Sequence, residues 1–394
     1  MIRLVRRASQ LFLGVALAHA QTDDLARIKT AVEENLARLP NYTCTESIEQ
    51  SDRLLIDGTP KVVFLEKTRL EVAFVEGKEL FGWPGAAKID QSDVTRMIKG
   101  SFGNGYFGLF SKTIFLAPST TFQNANTTEL DGRPVVRYDY RVPQQTGAYF
   151  IKTGTASAMV GFHGSFWANP ATQDLIRITV LADDIPALLE IASTTSLLNF
   201  ERQRIGSSTF VLPRGARLVV TETDGAEKDV RLKFAGCHQF ISESELKFDD
   251  PAAEPMAGKS SGPIQYVVLP DHFKVDFNLD TAIDWESSAS GDPVHGRLRD
   301  AIRLDGGIAA PKGAMLSGRI AHLAMRGDSY YVELSLTSLD FPGSHADLAG
   351  RQNSVQAAGL PLVYRSAKFK LARGARLTLH SRLVESLHND PIRP

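Results

Sequence analysis

The stretch "MVGFHGSFWANPATQDLIRITVLA", Met159 to Ala182, decides the class of fold. Apolar and polar residues alternate on both sides of Asn169-Pro170, the period that sends successive side chains to opposite faces of a strand. Asn169 can accept from the backbone just beyond it and Pro170 presets φ, so the pair starts a turn. The spacing predicts a β-hairpin in which Ile176, Ile178 and Val180 share one face of the returning strand.

The same period recurs outward from this hairpin. "KVVFLEKTRLEVAFVEGKEL" (Lys61–Leu80) and "RPVVRYDYRV" (Arg133–Val142) read as strands bounded by Gly, Pro, Asn or Asp. "RLVVTETDGAEKDVRLKF" (Arg217–Phe234) reads as a second hairpin, with a tight primed turn expected at Asp224-Gly225. Short helical interruptions are expected at 93–99 and 185–191. Ahead of the strands, Leu25, Ile28, Val32, Leu36 and Leu39 recur at spacings of three and four, an amphipathic helix that Pro40 stops. The fold class that follows is mainly β (α+β): an N-terminal helix on a curved antiparallel sheet or open barrel, then a second, smaller β-barrel.

At 394 residues the chain exceeds what one core usually serves. The seam is expected at "DDPAAEPMAGKSSGP" (Asp249–Pro263), where Pro, Ala, Gly and Ser replace periodic apolar residues. The expected domains are 1–20 as a leader, 21–248, a linker at 249–263, 264–388, and a tail at 389–394. In the later domain "HFKVDFNLD", "SYYVELSLTSLDF" and "FKLARGARLTLHSRLVE" supply strands. "FVLPRGARLVV" (Phe210–Val220) and "FKLARGARLTL" (Phe369–Leu379) share seven of eleven residues, and "PKGAML" (Pro311–Leu316) repeats the centre. A duplicated module would give such an echo; so would a recurring strand, glycine kink and strand.

The N-terminus sets the expected compartment. Arg3, Arg6 and Arg7 precede an apolar run from Leu11 to Ala18 that ends in Ala18-His19-Ala20. This is the pattern of a secretory signal peptide cut after Ala20. The mature chain is then periplasmic or secreted, with no transmembrane segment, since no later run is apolar enough to span a bilayer. A net charge of −1 gives no footprint for nucleic acid. Cys44 and Cys237 would sit in an oxidising compartment, paired or as two separate buried thiols.

Motifs that suggest chemistry lack their context. "GSFGNGYFG" (Gly100–Gly108) spells a glycine-rich phosphate loop, but a helical pattern precedes it where a strand is needed. It reads instead as a bend tucking Phe102, Tyr106, Phe107 and Phe110 under a sheet. "GKSSG" (Gly258–Gly262) has the nucleophile-elbow spacing yet lies in the linker, and "KTG" with "SELK" stand in reversed order for a penicillin-binding enzyme. The histidines from His163 onward are scattered singly, and no metal site or cofactor is expected. His163, Ser165 and Trp167 share a strand face, a pocket wall or simple packing. Asp276, Asp280 and Asp284 form an acidic row best explained by solvation. No carboxylate pair is placed for acid–base work, so no catalytic residue is assigned.

Two resemblances follow from these residues. "DGRPVVRYDYRV" with "MVGFHGSFWANPATQDLIRITVLADDIP" resembles the central hairpins of LolA-like lipoprotein carriers, over Asp131 to Leu246. "LPNYTCTESIE" and "FAGCHQF" are similar to exported bacterial proteins of this broad type, in which the two cysteines recur. The resemblance implies an open, curved sheet whose concave face holds acyl chains. In the second domain, "GDPVHGRLRDAIRLDGGIAAPKGAMLSGRI" (Gly291–Ile320) is similar to the C-terminal β-barrel of TrbI-like secretion-channel proteins. The membrane helix and proline-rich arm of those subunits are missing, so only the small barrel carries over.

The reading that results is a non-catalytic binding protein holding a lipid or other hydrophobic ligand, with Trp83, Phe162, Phe166, Ile176 and Ile178 lining the hollow. The alternative is an envelope module that docks a protein partner. An enzyme whose site is assembled from distant residues is the third reading.

Overall fold

The structure, a computed structural model, describes residues 24–86, 89, 94, 97–98, 109–147, 149–153, 156–239, 265–266, 273–304, 307–348, 357–358, 362–365 and 369–380. The leader, the glycine-rich stretch 100–108, "SELK", "GKSSG", the linker 249–263 and the tail 389–394 lie outside the described residues. The protein is mainly β. Among the described residues, 62–70, 83–86 and those from 265 onward group as a second unit, and the rest as the first. The segments 62–70 and 83–86 precede the seam by far, so the division is discontinuous where the expected one was a single cut.

In the first unit, helix α1 (24–38) leads into β1 (Tyr42–Ile56), β2 (Thr59–Val75), whose residues 62–70 group with the second unit, and β3 (Lys78–Gly82). Helix α2 (Leu109–Leu116) follows, then β4 (Thr121–Leu130) and β5 (Arg133–Val142). Next come the one-turn α3 (Gln144–Gly147) and the separate hairpin of β6 (Tyr149–Thr153) and β7 (Ala156–Val160). The remaining strands are β8 (Phe162–Ala168), β9 (Leu175–Ala182), β10 (Ile191–Ile205), β11 (Ser208–Glu222) and β12 (Glu227–Gln239). Antiparallel pairing runs β4–β5–β8–β9–β10–β11–β12–β1–β2–β3.

Neighbouring strands are joined by the turns their sequences dictate. Asp57-Gly58, Glu76-Gly77 and Asp131-Gly132 all have positive φ at both positions, as a two-residue primed turn requires. Asp224-Gly225 differs from its expectation. Only Gly225 has positive φ (87°), Glu222 and Ala226 close a three-residue loop, and the Asp224 carboxylate accepts the Ala226 N–H at 2.9 Å. That side-chain bond holds Asp224 in an ordinary conformation, and the loop takes one more residue than a primed turn. The expected Asn169-Pro170 turn forms, with Asn169 Oδ1 accepting from Ala171 and Thr172 at 2.8 and 3.2 Å.

Helix α1 buries Ile28 and Val32, the stripe its spacing predicts, and is tied to β11 through Asn35. The Asn35 amide donates to Val211 O at 3.0 Å and accepts from Val211 N at 2.9 Å, reproducing one rung of a strand ladder with a side chain. The disulfide Cys44–Cys237 joins β1 to β12 across an irregularity in their register, with Cα atoms 4.1 Å apart. At 185–191 a 3-10 turn forms over Ala187–Leu189.

The second unit buries Val275, Phe277 and Leu279 of strand Lys274–Leu279 with Leu316, Val332 and Leu334 of its neighbours. Antiparallel pairing runs from Arg376–His380 through Lys274–Leu279, Pro293–Leu298 and Met315–Arg326 to Ser329–Phe341. The echoed motif adopts two conformations. "FVLPRGARLVV" runs inside the single strand β11. In the second unit both copies are turns: Gly313 and Gly374 have φ of 84° and 87° and donate to Leu298 O and Leu279 O at 2.9 and 2.6 Å. Each turn ends on an alanine carbonyl that accepts the same leucine's N–H, at 3.0 and 2.9 Å. The common feature is thus a local hook confined to the second unit.

Candidate functional site

The inward face of the first sheet gathers most of the residues assigned to a hollow. Phe162, Phe166 and Ile178 are fully buried. What covers them is the chain itself. Helix α2 presents Phe110, Ile114 and Phe115 at helical spacing, all buried. Phe110 meets Phe162 edge-on at 5.8 Å, Phe115 meets Phe166 at 4.9 Å, and Tyr138 stacks on Phe166 at 5.2 Å. These are the distances of a packed aromatic core, so the three residues come together as packing beneath α2. Gly164 sits between them in β8 because Thr179 O and the Tyr140 hydroxyl occupy the space a side chain would need.

Two assigned residues lie elsewhere. Ile176 is only half-buried, because Trp167 pairs with Arg177 and Ala168 with Leu175, leaving Ile176 as the extra residue of a bulge. The bulge turns Leu175 inward in its place. Trp83 belongs to the second unit, where the Arg319 guanidinium lies 4.9 Å from its ring.

A cavity of about 460 Å³ opens beside α1. Its lining is polar over the larger part of its surface, with apolar side chains contributed by Val32 and Leu36 of α1, Leu39 just past the helix, Leu175 of β9, Phe200 of β10 and Phe210 of β11. The polar lining includes Glu34, Asn35, Arg38, Asp174 and Arg202. Part of this polar lining is tied together: Arg202 binds Asp174 through two hydrogen bonds of 2.6 and 3.0 Å, and Thr172 donates to the same carboxylate at 2.8 Å. Arg38 donates only to the Glu34 carbonyl of its own helix, at 3.2 Å, and makes no ion pair among the described residues.

On the same sheet, burial and then the charge of Glu79 push the Glu46 carboxyl up to about 8. Glu46 is 4% exposed and its Oε2 has no hydrogen-bond partner; Gln50 Oε1 on the same strand is likewise buried without one. At neutral pH Glu46 is therefore largely protonated. Burial, with Tyr149 nearby, also raises the Tyr140 phenol, whose hydroxyl donates to Thr179 O at 2.7 Å.

The polar groups on other faces are engaged structurally. Ser165 Oγ donates to Asp139 at 2.6 Å while His163 faces Asp183 at 2.6 Å, so serine and histidine have different carboxylate partners. Asp276 is held by Lys274 and Thr378, Asp280 pairs with Arg297 at 3.3 Å, and Asp284 caps the turn at Ser287. Among the described residues no group of His, Cys, Asp or Glu is placed to hold a metal ion, and no helix is long and apolar enough to cross a membrane.

Reading of the sequence missed the cavity because its lining comes from five separated segments. Only the apolar stripe of α1 was visible as such. It missed Asp229 as well, a fully buried carboxylate on β12. Arg217 grips it at 2.9 and 3.0 Å, with Arg53 at 2.9 Å and Arg231 at 3.1 Å.

No family model matches the chain, and no curated protein matches it. Among solved structures, a LolA superfamily protein from Nitrosomonas europaea is similar at 9% identity and a TM-score of 0.29, over 55% of this chain and 93% of that one. A DUF1329 family protein from Desulfovibrio piger is similar at 11% identity and a TM-score of 0.28, over 57% of this chain and 94% of that one.

Proposed function

We propose that this is an exported, non-catalytic binding protein whose first unit holds a hydrophobic ligand with an acidic end, such as an acyl chain. The observation that supports it is the cavity beside α1, whose lining places apolar side chains of α1, β9, β10 and β11 alongside Arg38. Its volume falls within the range of small-molecule sites, about 300–1,000 Å³. The site is displaced from the centre of the sheet, where α2 fills the concave face with aromatic rings. The disulfide fits a periplasmic or secreted location. Native mass spectrometry of freshly purified protein tests the reading: a bound lipid is expected, lost in a folded Leu36→Arg variant that fills the cavity. A clean apo mass across several preparations would refute it.

A second reading, docking of an envelope protein, is favoured by one feature. The tip of the β1–β2 hairpin exposes three consecutive aliphatic residues, Leu54, Leu55 and Ile56, at 44%, 59% and 39%. Cross-linking in cells from a photoreactive residue at position 55 is expected to capture a protein partner if this reading holds, and to give none if it fails.

A further inference from the structure

Arg319 stands out in the second unit because its surroundings desolvate it without offering it an anion. It lies on strand Met315–Arg326, bracketed by register irregularities at Ser317/Gly318 and Ile320/His322. Such bulges re-aim side chains and recur beside binding sites. The guanidinium is turned onto the face of Trp83, its carbon 4.9 Å from the ring centre. It makes no hydrogen bond or ion pair among the described residues, and burial lowers its pKa. Two carboxylates on the flanking segments are already taken, and Glu333 of strand Ser329–Phe341 stands opposite His322. Asp292 receives two hydrogen bonds from Arg69 at 2.5 and 2.6 Å, and Glu66 pairs with His322 at 2.8 Å.

The residue opposite Arg319 across the ladder is Ser335. It is 0% exposed, and its Oγ has no hydrogen-bond partner. A buried hydroxyl without a partner costs stability unless something pairs with it, and its cross-strand neighbour is a half-buried guanidinium with no hydrogen bond among the described residues. Stacking on indole occupies the face of the guanidinium and leaves its edge N–H donors, the fork that fits carboxylate and phosphate, available.

We infer that Arg319, held flat by Trp83 and assisted by the Ser335 hydroxyl, is a binding site for a ligand oxyanion, carboxylate or phosphate. The site lies in the second unit and does not depend on the ligand proposed for the first. Calorimetric titration of the full chain with inorganic phosphate and, separately, with acetate tests it. Saturable binding of at least one anion is expected. Phosphate alone would indicate a phosphate-bearing ligand, and acetate alone a carboxylate. Arg319→Met should abolish the binding, and Arg319→Lys, which keeps the charge but loses the fork, should weaken it about tenfold or more. No saturable binding of either anion, or unchanged binding in a folded Arg319→Met, overturns the assignment. Should Arg319→Met lose its strand signal in circular dichroism, Ser335→Ala decides. A loss of about threefold or more supports the site, and wild-type affinity overturns it.

Discussion

Replacing Glu46 by Gln should change the pH dependence of stability, because the buried carboxyl holds its proton far above the ordinary glutamate range. In the folded protein the Glu46 carboxyl is raised to about 8, whereas a solvated glutamate titrates near 4.5. Because the folded value lies above the unfolded one, the stability linked to this group is fully present below about pH 4.5 and is lost as pH rises towards 8. At about 1.4 kcal/mol per pH unit, holding the proton across that interval costs about 3 kcal/mol at pH 7 and about 5 kcal/mol above pH 8. Glutamine is neutral throughout and escapes this cost. Its extra amide donor adds an offset that does not vary with pH, so the informative quantity is the slope. Guanidinium unfolding of both proteins at several values between about pH 5 and 8 should show the variant gaining on wild type by about 1.4 kcal/mol per unit, then levelling. Parallel stability curves would refute the reasoning and mean that Glu46 meets water in the folded state.

Three further outcomes follow from the first unit. Removing the disulfide with Cys44→Ser and Cys237→Ser frees a loop closed across 193 residues and should cost up to about 5 kcal/mol, seen as a lower denaturant midpoint under non-reducing conditions. Asp229→Asn leaves three arginines around a neutral side chain and should cost about 3–5 kcal/mol at pH 7. Burial opposes ionisation of Asp229, but the Arg217 hydrogen bonds and the charges of Arg217, Arg231 and Arg53 outweigh it, so its pKa is lowered. Its contribution is present above the ordinary carboxylate range and lost in acid, and the two unfolding curves should converge below about pH 3. Gly164→Ala drives a methyl into Thr179 O, so the β8–β9 ladder must shift and thermal unfolding should move down by several degrees, about 1–3 kcal/mol; an unchanged midpoint would show that the strands can part at no cost.

Strand period and turn chemistry were legible wherever they act locally. "RPVVRYDYRV" and "SYYVELSLTSLDF" form strands over the residues whose alternation marks them, Arg133–Val142 and Ser329–Phe341. Asn169 starts its turn through a side-chain bond that spans two residues. What misled was parity carried past a bulge: Ile176 shares the parity of Ile178, yet one unpaired residue at Trp167/Ala168 takes it off the inward face. Parity also says which residues face inward but not what meets them there, and Phe162 and Phe166 meet the aromatic rings of α2.

By itself the sequence determined the mainly β class, the amphipathic first helix and the two cysteines whose pairing it left open, because propensity and periodicity act between near neighbours. The tertiary structure alone decided that Cys44 meets Cys237, that Trp83 joins Arg319 in the second unit, and that a cavity opens beside α1. Each joins residues far apart in the chain, brought together by strand order and register. Sheet pairing depends on the fit of whole faces, so its outcome is written in no single stretch of residues.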